Sequence, residues 1–177
     1  MNYDELPYRR YPKVPVERRI YAFLIDFMAV WLVSAIAGVG LIRWLIFLAA
    51  WFGLRVFLVC NNQGQSPGRW LMDTKIIDNR NRIPEVVTLG KREGIVGFCA
   101  LLATIGLDIN FSNGISMLIL VSPLVVDCAV AFADEQLGQA FHDRIIGTIM
   151  IQTDRGFSLD LRAKRWLAQL KQNMRKY

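Results

Sequence analysis

Arg18-Arg-Ile-Tyr-Ala-Phe-Leu-Ile-Asp26-Phe-Met-Ala-Val-Trp-Leu-Val-Ser-Ala-Ile-Ala-Gly-Val-Gly-Leu-Ile42 is an apolar run of membrane length broken by a single carboxylate. A spanning helix needs about 20 apolar residues, and a charge inside one is costly enough to require a partner or a task. On a helix Arg19, Ala22 and Asp26 share one face, because positions three, four and seven apart lie above one another. Small Ala22 lets another segment approach closely between the two charges, so this face points at protein. Two roles fit: a packing device, with Arg19 reaching the headgroups and Asp26 meeting a buried donor on another helix, or a polar site for an ion or proton.

Working outward, the composition agrees with a membrane setting. The 177 residues are 54% hydrophobic and 20% charged, against about 25% charge in an ordinary soluble domain, and the mean hydropathy is +0.31. A single domain accounts for this length. The net charge of +6 would suit nucleic acid if it were spread over a polar surface. Here the basic residues flank apolar runs, where they orient spans and meet anionic lipid headgroups, so no nucleic-acid partner is expected. Cys60, Cys99 and Cys128 fall in or at the end of apolar runs without ligand spacing, and His142 is the only histidine. The cysteines read as small buried hydrophobes, and neither a metal centre nor a cofactor is expected.

Residues 1–18 form a basic, proline-broken arm suited to a charged membrane surface. The first helix is expected over about 20–42 and a second over 44–60, with Gly38, Gly40 and Arg43 making the turn between them and Trp44 at headgroup level. Arg55 then lies about a turn and a half from the end of the second helix. It either snorkels outward or pairs with Asp26, which an antiparallel hairpin brings to the same depth; the pair is favoured. Ser66 and Pro67 read as the cap and first position of a short helix. The Gly64–Gly68 stretch lacks the glycine-lysine-serine order of a nucleotide loop. Strands are expected near 74–78 and 147–152, pairing as a cap so that neither leaves its backbone unpaired.

Lys91, Arg92 and Glu93 read as an interface, followed by only 14 uncharged residues to Leu107. A helix over 89–107, with Lys91 and Arg92 snorkelling, would be adequate. A fourth, over 115–133, contains Asp127 and Pro123, whose missing N–H predicts a break at the Ile119 carbonyl. With four spans, 19 of the 21 Lys and Arg fall on one side, which makes both termini cytoplasmic. Residues 154–177 read as a basic amphipathic tail lying in the interface.

His142-Asp143-Arg144 invites an acid–base reading, but no nucleophile can be placed beside it and adjacency in sequence is not a spatial triad. Asp143 is expected to accept from cap backbone or from a basic residue of the 64–75 loop, and Arg144 to bind lipid phosphate. Taken together, Arg19-x-x-Ala22-x-x-x-Asp26, then Gly64-Gln-Ser-Pro-Gly68-Arg69 with Ile76-Ile-Asp following, then Phe141-His-Asp-Arg144 before Gly147-Thr-Ile-Met-Ile resemble the RDD family of small membrane proteins over about residues 16–153. The resemblance carries the family's arginine and first aspartate to Arg19 and Asp26. It matches the second aspartate to Asp143, with Asp127 as competitor. The chain departs from the pattern at Arg69, where a lysine is usual, and at Met72-Asp73. Of activity the resemblance implies little beyond transport, including cation–proton exchange, proposed for some members.

The expected fold is therefore an all-α integral membrane protein, a four-helix transmembrane bundle with a small cytoplasmic two-stranded β cap. The candidate buried polar or ion site is Arg19, Asp26, Arg55 and Asp127. The candidate cytoplasmic motif is Gly64, Gln65, Gly68, Arg69, His142, Asp143 and Arg144. A structural or accessory role without catalysis is expected, with the bilayer, anionic headgroups and a second copy or another membrane protein as partners. The alternative is a small ion or solute transporter that uses Asp26 as its coupling carboxylate.

Overall fold

The computed structural model describes residues 14–108, 114–134 and 138–153, together with positions 155, 158, 159, 161, 162, 166 and 169. Most of the basic arm and the amphipathic form of the tail lie outside the described residues.

Helix α1 (Val16–Ala35) stops seven residues before the apolar run does. Gly38 and Gly40 have φ of +77° and +103°, a left-handed turn that favours glycine. Helix α2 (Leu41–Phe52) begins directly after it. Arg43 thus lies in the first turn of α2 and not in the connection, where it pairs with Asp108 at 2.8 Å and stands over the Trp31 ring at 5.6 Å. Hydropathy could not find this boundary, because Leu41 and Ile42 are as apolar as the helix before them.

The second rod is not a single α-helix. It passes through a π turn (Gly53–Phe57) into α3 (Leu58–Asn61). Arg43, Phe47, Trp51, Arg55 and Val59 are all buried, each four residues after the last. A four-residue step drifts by about 40° around a 3.6-residue helix, so an unbroken α-helix would turn Val59 away from the face that buries Arg43. The wider π winding takes back part of that drift and holds Arg55 in the interior.

Ser66 caps α4 (Pro67–Leu71) by accepting from the Arg69 N–H at 3.4 Å. Strand β1 (Thr74–Asp78) leads to α5 (Val86–Asp108) and α6 (Gly114–Ala133), then α7 (Phe141–Ile146) and β2 (Thr148–Gln152). The strands pair antiparallel from Thr74 opposite Gln152 to Asp78 opposite Thr148, burying Ile77, Ile149 and Ile151 together. Helix α6 runs unbroken through Pro123. The Ile119 carbonyl that the proline orphans is taken by the Ser122 hydroxyl at 2.8 Å, which removes the reason for the expected break.

The described residues are mostly helical, with a two-stranded sheet and, among them, two helices apolar and long enough to cross a membrane, Leu41–Asn61 and Gly114–Ala133. Helices α1 and α5 have 20 and 23 residues but carry more charge. α1 packs on α2, α2 on α5, and α5 on α6. Phe27, Val30, Phe47, Trp51, Val96 and Ala100 form the core between the first three. The distribution is inverted relative to a soluble protein: Ile36 and Leu118 are 87% and 65% exposed, while Asp26 and Glu93 are 0% exposed. Such a surface suits a hydrocarbon solvent.

Close packing of α5 on the second rod depends on Gly97. A Cβ there would come within 2.7 Å of Trp51 Nε1, on a buried indole that donates to the Glu93 carbonyl at 3.2 Å. Gly97→Ala is expected to lower the unfolding midpoint in detergent, a cost of about 1–3 kcal/mol. Gly94→Ala, whose Cβ meets open space, is the control, and equal midpoints for the two would remove this role from Gly97.

Candidate functional site: a buried ring of alternating charge

Asp26 sits where α1, the π turn and α4 meet. The Gly68 N–H donates to its Oδ1 at 2.8 Å, the Ser66 hydroxyl to Oδ2 at 2.5 Å and Arg55 Nη1 to Oδ2 at 3.1 Å. The short α4 therefore points its N-terminal groups at a carboxylate, which its exposed N–H groups and dipole favour. Ala22 permits this, since Gly68 lies directly against its carbonyl. Gln65 is buried and ties the same loop to the sheet, donating to the Thr74 carbonyl at 2.8 Å. Gly64, at φ +82°, closes the turn against Ile76.

Arg55 does not belong to Asp26 alone. Its Nε donates to Glu93 Oε2 at 2.7 Å and its Nη2 to Glu93 Oε1 at 3.4 Å. The guanidinium also stands 4.8 Å from the centre of the Trp51 ring and 5.6 Å from that of Phe23. Arg69 Nη2 reaches Glu93 Oε1 at 2.8 Å, and Arg92 Nη1 donates to the same oxygen. Arg92 Nε then donates to Asp143 Oδ1 at 2.9 Å, and Asp143 accepts from Arg19 Nη2 and from the Thr148 hydroxyl at 3.1 Å. Arg19 also donates to the Gly138 carbonyl. The contacts run in a chain, Arg19, Asp143, Arg92, Glu93, Arg55, Asp26, whose two ends lie on one face of α1, so that the helix itself completes the ring.

His142 braces the ring from α7. Its N–H donates to Asp127 Oδ1 at 3.0 Å, its Nδ1 lies 2.6 Å from Asp127 Oδ2 and its Nε2 lies 2.9 Å from Arg92 Nη2. With the ring proton on Nδ1, the imidazole donates to Asp127 and accepts from Arg92, which satisfies both partners. Four arginines (19, 55, 69, 92) thus face four carboxylates (26, 93, 127, 143) drawn from α1, the π turn, α4, α5, α6 and α7.

Burial acts on the cap residues of this cluster in opposite directions. By itself it would raise the Asp143 carboxyl, but the guanidinium groups of Arg92 and Arg19 outweigh it and hold Asp143 well below the usual carboxylate range. Desolvation, reinforced by Arg55, pulls the Arg69 guanidinium down to about 9 in spite of Glu93, which still leaves it charged at neutral pH. Charges taken out of water at this cost are held only when each is paired and hydrogen-bonded.

Several expectations change. Arg92 does not snorkel and Glu93 does not mark an interface: both are buried, because α7 and α4 cover that end of α5. Asp143 pairs with Arg19 on α1 and Arg92 on α5, not with the 64–75 loop. Arg144 is exposed and lies 3.6 Å from Asp134, outside the cluster. Asp127 meets His142, whereas Asp143 takes the Arg19 guanidinium itself. Glu93 is the central acid that sequence reasoning missed. No signal in the sequence pointed to it, because the burial of Arg69 and Arg92 that calls for a further carboxylate is itself a feature of the tertiary structure.

An apolar exterior around a buried ionic interior is the arrangement of a helical membrane protein. The chain belongs to the RDD family, whose family model matches residues 13–147. No significant match was found among curated proteins or solved structures.

Proposed function

We propose that the chain is a multi-pass membrane protein in which α1, the Leu41–Asn61 rod, α5 and α6 all span the bilayer, with both termini cytoplasmic. In this reading the charge ring is a clamp that fixes the bundle to its cytoplasmic cap. The role is structural or accessory, without a catalytic step. Its partners are the bilayer, anionic headgroups and a second copy or another membrane protein, and nucleic acid is not among them.

The observation that carries this reading is Asp26. A coupling carboxylate must exchange its cation or proton with water, yet Asp26 is fully buried and accepts from Ser66, Gly68 and Arg55, the arrangement of a fastened joint. The ring residues α1 and α5 contribute would then lie in the cytoplasmic half of the membrane, where the cap reaches them. The transporter reading is favoured only by the π turn that carries Arg55, since such bulges recur at functional sites.

Sealed vesicles distinguish the two. The protein is expected to give no sodium or potassium flux above protein-free vesicles under a proton gradient. A saturable flux that vanishes in a normally folded Asp26→Asn variant would replace the clamp by a coupling site. The topology has its own test. With Cys60, Cys99 and Cys128 replaced by Ala, single cysteines at Asn2, Asn79, Asn110 and Asn173 should be labelled from outside only at Asn110. External labelling of Asn79 would sink the four-span arrangement.

A further inference from the structure

Behind the ring, between α1 and α6, lies a cavity of about 50 Å³, several times the roughly 10–15 Å³ that one water needs. Its walls are of two kinds. Arg19, Arg55, Arg69 and Arg92 line it together with Asp127 and His142, none more than 9% exposed, and make a polar floor in which arginines outnumber the one lining carboxylate. Ile20, Phe23, Leu124 and Cys128 also line it and are half-buried, which places them at its mouth. Helix α6 packs mainly on α5 and only lightly on α1, so the mouth opens between two helices toward the apolar exterior.

The four arginines are not equally satisfied. Arg55 and Arg92 use all three side-chain nitrogens within the ring, and Arg19 holds Asp143 and the Gly138 carbonyl. Arg69 commits only Nη2, to Glu93. Its Nε and Nη1 have no partner among the described residues, although the side chain is 1% exposed. A buried donor left unmet is costly, and the more so when it is charged. The two unmet nitrogens lie on opposite edges of the guanidinium, since the Nε–H shares its edge with Nη2, so each offers a single charge-assisted hydrogen bond to an anion oxygen.

We propose that this cavity is a binding site for a phosphate-bearing anion, with an unmet N–H of Arg69 as its principal donor. The anion's oxygens sit over this arginine-rich floor, and the apolar mouth accommodates whatever the phosphate is attached to. An anionic phospholipid headgroup and free phosphate are the two sources of this chemistry, and the Ile20–Leu124 mouth suits the acyl chain of the first. The inference rests on the membrane reading but not on the clamp role; a failed topology experiment and a failed binding experiment are separate results.

The test uses the full chain in a neutral detergent, with the unfolding midpoint followed as phosphatidic acid, phosphatidylcholine or inorganic phosphate is added, since a ligand of the folded state raises the midpoint by mass action. A saturable rise with phosphatidic acid and none with phosphatidylcholine is expected. Arg69→Gln should weaken the effect by about tenfold or more, from the loss of charge-assisted hydrogen bonds. Leu124→Trp leaves every charged residue of the ring in the sequence and fills the mouth, so it keeps the test decisive if Arg69→Gln fails to fold. It should abolish the phosphatidic acid effect and leave any inorganic phosphate effect in place. A rise with inorganic phosphate that matches phosphatidic acid and survives Leu124→Trp supports the site with free phosphate as its source. No rise with either, an equal rise with phosphatidylcholine, or wild-type phosphatidic acid binding by Leu124→Trp together with any folded Arg69→Gln would overturn the proposal.

Discussion

Glu93→Ala is expected to abolish most of the folded protein. The carboxylate is fully buried and accepts from Arg55, Arg69 and Arg92, so its removal strands three guanidinium groups at once. Breaking a single buried pair by deleting one partner costs about 3–5 kcal/mol, against a total stability of about 5–15 kcal/mol for a typical fold. Arg55 would keep only Asp26, Arg92 only Asp143 and His142, and Arg69 would lose the one hydrogen bond its guanidinium makes. Glu93→Gln keeps one oxygen and the volume without the charge, and should fall between wild type and Ala. The measurement is the unfolding midpoint and folded yield in detergent beside Glu85→Ala, a change at an exposed acid of the same loop–helix junction. A Glu93→Ala midpoint equal to that of Glu85→Ala would show that the ring does not hold the bundle.

The second large effect comes from adding one methyl group. A Cβ on Gly68 would lie 2.0 Å from the Ala22 carbonyl oxygen and 2.9 Å from both the Ala22 carbonyl carbon and Asp26 Oδ1. The first obstacle is backbone of α1, which cannot rotate away, so α4 itself must move. Moving it lengthens the bonds from Gly68 N–H and the Ser66 hydroxyl to Asp26 and leaves that acid with Arg55 alone. Overpacking of a tight interface costs about 1–3 kcal/mol and sometimes more, and loss of the Asp26 contacts adds to it. Gly68→Ala is therefore expected to exceed Gly97→Ala, where a side chain is the obstacle. Gly90→Ala, in open space on α5, should be neutral or slightly stabilising because alanine favours helix. A Gly68→Ala protein that unfolds at the wild-type midpoint would contradict the close approach of α4 to α1.

Asp26 and Ala22 were readable without any structure, because the cost of a carboxylate in an apolar run and the room beside a small residue are local properties of the chain. The Ser66–Pro67 cap and the two strands were readable for the same reason, each resting on backbone chemistry within a few positions. Glu93 was not. At the edge of a short apolar run a charged triplet has one appearance whether it lies among headgroups or beneath a protein cap, and only the placement of α4 and α7 over the end of α5 decides between them. The π turn was equally hidden. Nothing within Gly53–Phe57 requires it, and its cause is the need to keep Arg55 and Val59 on the face that buries Arg43 and Trp51. What the sequence determined by itself was that a charge inside an apolar run, Asp26 above all, must be partnered. Which partner each one takes was decided by the tertiary structure, because Arg19 and Asp143 lie 124 positions apart, and contacts across such separations follow from how helices pack rather than from any local preference.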